Sequence, residues 1–167
     1  GDGLPRAKRW LYDSGLNIPL IIKFPDGSKA GTVDERLISS IDFGPTVLSL
    51  AGISVPAHMQ GVPFLGKQTG PERKYVFAAR DRVDESYDMI RSVRTKDYLY
   101  VRNYYPNESF PIWVPYLSSM PIWKEMLRLD AEGKLSGPQK AWMAYSRPPE
   151  ELYDVKADPF QIRNIID

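Results

Sequence analysis

The sequence predicts an α/β chain that is α+β within its own length: a buried strand and a core helix in residues 1–70, then a small antiparallel sheet packed with helices in residues 71–167. Three observations carry this. Ile18 to Phe24 is a near-continuous apolar run of strand length, interrupted by Lys23 and closed by Pro25-Asp26-Gly27-Ser28, as in a strand buried on both faces of a largely parallel sheet. Phe43, Val47, Leu50 and Ala51 fall on one face of a helix. Further on, Tyr75 to Ala79 is β-prone, Met89 to Thr95 and Tyr98 to Tyr104 alternate about a turn at Lys96-Asp97, and Glu151 to Val155 returns to them. That pattern makes an antiparallel meander.

In chain order, Gly1, Gly3 and Pro5 break regular structure and leave backbone N–H groups free to face an anion. Lys8 and Arg9 add charge, and Trp10, Leu11 and Tyr12 supply an apolar anchor. By composition this stretch fits either the rim of an active site or a tail of solvated cations. The strand at Ile18–Phe24 needs neighbours that are hard to find downstream. Ser39-x-x-Asp42 has the form of a capping box with Asp in place of Glu, and either residue fits the N-cap. Pro45 is tolerable in a first helical turn, and Gly52 is a natural stop. The Pro- and Gly-rich loop that follows holds His58, the sole histidine, which reads as solvated.

Arg80 to Asp88 is densely charged without periodicity, the mark of an exposed loop. In the strand at 98–104 one face is apolar and the other aromatic and cationic, so one side of the sheet should meet a helix and the other be partly wet. Residues 103–121, rich in Pro and aromatics, should have little regular structure. Pro121 to Glu132 is an amphipathic helix carrying Trp123, Met126, Leu127 and Asp130 and ended by Gly133, and Ser136 fits the cap of another running from Gly137 to Ala144.

With 167 residues and 43% hydrophobic content the chain can bury a core. Its 22 basic and 21 acidic residues leave a net charge of +1, so no global field gathers nucleic acid or an anionic membrane. No apolar run approaches the length of a membrane span. Zero cysteine excludes disulfides, thiolate metal sites and a Cys nucleophile within these residues. Asn107-Glu108-Ser109 fits a glycosylation acceptor, a triplet that also occurs by chance.

Four stretches together resemble the sulfatases of the alkaline phosphatase superfamily. GDGLPRAKRWLYDSG, followed by Ile18-Pro19-Leu20-Ile21-Ile22, resembles the segment just after their Asp-His-Gly or Asp-Asn-Gly metal motif. Ser39 to Gly52 is similar to their D-x-x-P-T-x-L-x-L-A-G helix. Glu151-Leu152-Tyr153-Asp154, with Asp158-Pro159 and Asn164, is similar to their chain ending. Met89 to Arg94, Asp97-Tyr98 and Val101 to Tyr104 resemble the C-terminal hairpin of the heparan N-sulfatase (sulfamidase) branch.

The resemblance implies the C-terminal part of an enzyme hydrolysing sulfate esters or sulfamates of a sulfated sugar, with residues 1–70 closing its α/β domain and residues 71–167 forming a subdomain. Lys8 takes the position of the cation that contacts the sulfate, and Arg80 or Arg82 that of a substrate-binding arginine. Calcium belongs to the complete enzyme, with its ligands expected immediately before Gly1 and none in this chain. The formylglycine nucleophile comes from a Cys/Ser-x-Pro-x-Arg motif that is absent here, so the chain alone is expected to be inactive and to work with an N-terminal sulfatase domain. A periplasmic, secreted or lysosomal-type compartment goes with the family. Two other classes remain open at this stage: a phosphoester or phosphonate hydrolase of the same superfamily, and a non-catalytic carbohydrate-binding or interaction module.

Overall fold

The computed structural model describes residues 7–166. Gly1, Gly3 and Pro5, expected to form an anion-facing loop, lie outside the described residues. The chain divides into two compact units, one of Ile21–Val76 and one that joins Gly1–Leu20 to Phe77–Asp167.

The second of these is built on a four-stranded antiparallel sheet in the order β1-β2-β3-β4, where β1 is Val76–Val83, β2 Ser86–Arg94, β3 Tyr98–Asn103 and β4 Glu150–Asp154. Ile90 stands opposite Asn103 and Arg94 opposite Leu99, and Tyr98 stands opposite Asp154 and Arg102 opposite Glu150. Period two then sends Asp88, Ile90 and Ser92, Leu99, Val101 and Asn103, and Glu151 and Tyr153 to one buried face. The other face carries Arg91, Tyr100 and Arg102 and stays wet, with Arg102 donating to Glu150 at 2.8 Å. The expected α+β meander is present. Beyond β4 the chain folds back along it: Ile165 N–H donates to the Leu152 carbonyl at 2.8 Å, and Asn164 accepts from Leu152 N–H at 2.9 Å.

Leu11 is buried against Ile90, Leu99, Val101, Tyr153 and Val155 on that inner face. A second apolar cluster gathers Val114, Leu117, Trp123, Leu135 and Met143. It is formed by the helices α3 (Pro115–Ser119), α4 (Pro121–Ala131) and α5 (Gly137–Trp142) together with residues that flank them, Val114, Leu135 and Met143. Each begins with Pro in its first turn, where the missing N–H costs nothing. Trp142 meets Trp10 and Trp123 edge-on, each with ring centroids 6.0 Å apart. Within α4 only Trp123 is fully buried; Leu127, expected beside it, is 46% exposed.

The stretch expected as a loop, Arg80 to Asp88, is instead a β-hairpin. Its strands meet at a two-residue turn, Asp84-Glu85, where Asp84 adopts φ +51°, a conformation Asp tolerates better than most residues. The charges that hid the strand pattern are partly buried: Arg80 is 7% exposed and Asp88 0%. Buried charge is satisfied by opposite charge rather than excluded from a strand.

The unit of Ile21–Val76 departs further from expectation. No strand forms at Ile18–Phe24; Ile18 is 68% and Ile21 92% exposed. A strand needs a neighbour for its backbone groups, and among the described residues none pairs with it. The helix α2, Phe43–Leu50, is present, preceded by a 3₁₀ turn at Ser40–Asp42 and closed by Gly52 at φ +72°. Its buried face is the reverse of the expected one. Phe43, Val47 and Leu50 are exposed, while Pro45, Thr46 and Ser49 are buried.

The reason is polar. The backbone of residues 62–68 lies on that face and spends its N–H groups there: Val62 on Asp42 Oδ1 at 2.7 Å, Phe64 on Thr46 Oγ1 at 3.1 Å, and Gln68 on Ser49 Oγ at 3.0 Å. Gly61 sits so close to Ile41 that a Cβ would lie 2.0 Å from its carbonyl oxygen. Asp42 also accepts from Ser39 N–H at 2.9 Å, the reach-back of a capping box, and from Arg73 Nε at 2.8 Å. Burial pushes the Asp42 carboxyl up, but Arg73 and the Ser39 and Val62 amides outweigh it and hold it below the ordinary value. His58 is exposed, as expected.

Candidate functional site

The three residues singled out from the sequence, Lys8, Arg80 and Arg82, line one cleft of about 430 Å³ in the unit that carries the sheet. Its walls are the 3₁₀ turn Ala7–Arg9, Leu11 and Leu16 on one side and residues 78–84 of β1 and the turn on the other. Four cations reach it, Lys8, Arg9, Arg80 and Arg82, against two carboxylates, Asp81 and Asp84. One of those carboxylates is taken by Arg9, at 2.7 Å from Asp84, and the other by Arg91, at 2.6 Å from Asp81. Lys8 is exposed and has no carboxylate partner among the described residues. The cleft is therefore cationic, with an ammonium at its edge that no described carboxylate takes.

The two arginines of β1 differ. Arg82 is exposed, donates from Nε to the Asp84 carbonyl at 2.5 Å and lies 5.5 Å from the centre of the Tyr87 ring. Arg80 is buried. One nitrogen of its fork pairs with Asp88, another donates to the Arg9 carbonyl at 2.9 Å, and the guanidinium lies 4.5 Å over the Trp10 ring. Its Nε has no partner among the described residues. Arg147, 4% exposed, is the second cation on Asp88 and also donates to the Tyr105 carbonyl at 3.3 Å. Burial lowers the Arg80 pKa from its ordinary value, Asp88 opposes this and nearby Arg147 adds to it. Two guanidiniums thus share one buried carboxylate directly behind the cleft.

The segment after Lys8 is fixed residue by residue. Tyr12 donates its hydroxyl to Glu151 Oε2 at 2.8 Å, Asp13 receives Arg94 through two bonds of 2.9 Å, and Asp13 N–H donates to Gln161 Oε1 at 3.0 Å. Glu151, fully buried, also accepts from Asn103 Nδ2 at 2.6 Å and from the Tyr153 hydroxyl. Burial raises the phenol pKa of both Tyr12 and Tyr153, and the negative charge of Glu151 raises them further. The first and last motifs of the sequence therefore meet at one buried carboxylate.

Among the described residues no group of three or more His, Cys, Asp or Glu side chains gathers as a cation would require. The cleft's own donors are cations and do not fit a resident metal. No helix among the described residues is long and apolar enough to cross a membrane. Sequence reasoning missed Asp88, Arg147 and Glu151 as buried charges. Glu151 stood inside a quoted motif, but nothing in the spacing of Asp88 or Arg147 marks them as interior.

A family model described as "N-sulphoglucosamine sulphohydrolase, C-terminal" matches residues 6–114. A protein named "Ulvan-active sulfatase" from Formosa agariphila is 47% identical over 99% of this chain, which covers 28% of that protein. An "N-acetylglucosamine-6-O-sulfatase" from Bacteroides thetaiotaomicron is 33% identical over 95% of this chain and 23% of its own length. The human "N-sulphoglucosamine sulphohydrolase" is 29% identical over 99% of this chain and 35% of its own length. The chain thus spans about a quarter to a third of the length of these relatives.

Proposed function

This chain belongs to the family of N-sulphoglucosamine sulphohydrolase C-terminal domains, and we propose that it completes the substrate cleft of a longer sulfatase acting on a sulfated sugar. The observation that carries this reading is the convergence of Lys8, Arg80 and Arg82 on one cationic cleft, with the Lys8 ammonium exposed and without a carboxylate partner among the described residues. In that role Lys8 holds an oxygen of the sulfuryl group. Charge on those oxygens changes as the sulfur–oxygen or sulfur–nitrogen bond breaks, and a cation fixed in advance stabilises it without reorganising.

Arg82 is the residue for the rest of the ligand, a second sulfate or a sugar carboxylate, because its fork donates parallel bonds to an anion. Arg80 lies behind the same wall. The calcium ion of the family would be held, and its formylglycine nucleophile supplied, by residues other than those described, and Lys8 would act on the sulfuryl group they bring to the cleft. The relative named as ulvan-active makes sulfated polysaccharide the substrate class to test first. A periplasmic, secreted or lysosomal-type compartment for the parent enzyme goes with this reading.

The test is Lys8→Ala in the complete enzyme, followed by sulfate release from ulvan oligosaccharides. One such donor contributes about 3 kcal/mol, or about two decades in rate. The variant should fold as the parent does and lose kcat by that factor. An unchanged kcat removes Lys8 from the site.

A further inference from the structure

We infer that Arg80 is a positioning residue for Lys8: its buried guanidinium, braced on Asp88, holds the turn that aims the ammonium into the cleft. This rests on the function proposed above.

Five contacts make the argument. Arg80 donates to the carbonyl of Arg9, the residue next to Lys8, at 2.9 Å. That bond lies one peptide unit from the Lys8 backbone, so it fixes the direction in which the side chain leaves the turn. The Trp10 ring stacks at 4.5 Å on the same guanidinium, which pins the residue after Arg9 as well. Asp88 anchors the other side of the Arg80 fork, and Arg147 anchors Asp88 in turn. Leu11, buried on the sheet, closes the far end of the segment.

Hydrogen bonds of this kind are directional, unlike apolar contact, so they set the orientation of the turn and not merely its burial. Arginine is needed because one planar group must reach a carboxylate, a carbonyl and a ring face at once. A lysine can pair with Asp88 but has no fork to reach the Arg9 carbonyl from the same position. The side-chain exposure of Arg80, 6%, leaves little of it for a ligand. Its influence on the sugar therefore passes through Lys8, whereas exposed Arg82 meets the ligand directly.

The experiment is a double-mutant cycle in the complete enzyme, with kcat and KM for sulfate release from ulvan oligosaccharides. Arg80→Lys keeps the charge on Asp88 and should lower kcat about tenfold, with KM changed less than twofold. In a Lys8→Ala background the same change should cost less than twofold, because there is no ammonium left to aim. A residue that only supports the fold lowers both backgrounds equally, and equal losses overturn the inference. Should Arg80→Lys not fold, as judged by circular dichroism, Trp10→Phe serves the same cycle with the same expected coupling. If Lys8→Ala alone keeps the parent kcat, the functional reading fails first; if it is slow but the cycle is additive, only the positioning role falls.

Discussion

Asp88→Asn is the sharpest perturbation of the sheet unit, because it changes one atom's chemistry without changing volume. The carboxylate is fully buried and serves Arg80 and Arg147, whose side chains are 6% and 0% exposed. An amide keeps one acceptor and turns the other into a donor facing a guanidinium, so one cation loses its partner where water does not reach. Three charge-assisted bonds summed singly suggest roughly 6 kcal/mol, but removing one partner of a buried pair costs about 3–5 kcal/mol in practice. At about 1.4 kcal/mol per decade, amides of Ile90, Leu99 and Val101 should lose roughly two to four decades of hydrogen-exchange protection in the complete enzyme. Asp81→Asn is the control on the same hairpin. Asp81 pairs with Arg91 at 2.6 Å, but with side chains 62% and 39% exposed, which limits its loss to less than about 1 kcal/mol. Protection that falls equally in both variants would refute the assignment of the buried triad as a separate source of stability.

Two further predictions concern pH. Asp42 has its carboxyl held down by Arg73 and two amides against the cost of burial, so its contribution is complete above the unfolded value of about 3.9 and is lost as pH falls through the lower folded value. Exchange at Val62 N–H, which Asp42 accepts, should accelerate below about pH 4; protection that persists unchanged to full protonation of the chain's carboxyls sinks the idea. Tyr12 and Tyr153 are raised by burial and by Glu151, so the folded chain keeps protons that the unfolded chain releases near pH 10, and stability should fall as pH rises beyond about 10. Titration by phenolate absorbance should show Tyr12 and Tyr153 lagging until unfolding, beside Tyr100, which its hydrogen bond to Glu150 also raises, and Glu151→Gln should reduce the lag of the first two.

The sheet was legible in the sequence because period two survives wherever one face is apolar: Leu99 and Val101 announce β3 without help. It was not legible at Arg80 to Asp88, since a strand whose inward residues are Arg and Asp has no apolar period to detect. The helix α2 was legible from Pro45 to Gly52, yet its orientation was not. Hydrophobic spacing chose Phe43, Val47 and Leu50 as the inner face, while within this chain the donors of residues 62–68 needed oxygen acceptors and took Asp42, Thr46 and Ser49. Lys8, Arg80 and Arg82 were picked out through the resemblance; composition alone read Arg80 and Arg82 as surface charge and left Lys8 between the rim of a site and a solvated tail. That Arg80 and Arg82 have opposite surroundings, one spent on Asp88 and one exposed, depends on partners from residues 9, 88 and 147 that no local pattern links.

Directional polar contacts, added to buried apolar area, fix the N-terminal segment on the sheet. Trp10, Leu11 and Tyr12 all bury apolar area there, but apolar contact by itself lets a segment slide and rotate. Tyr12 on Glu151, Asp13 on Arg94 and Gln161, and the Arg9 carbonyl on Arg80 each accept one geometry only. Glu151 and Asn103 come from neighbouring strands, so the register of β3 on β4 sets where Tyr12 lands. A change in that register moves the cleft wall. The position of an exposed cation is thereby determined by groups whose contacts with its segment span 71 to 148 residues of sequence, which is what a chain needs if that cation must meet reacting atoms supplied from elsewhere.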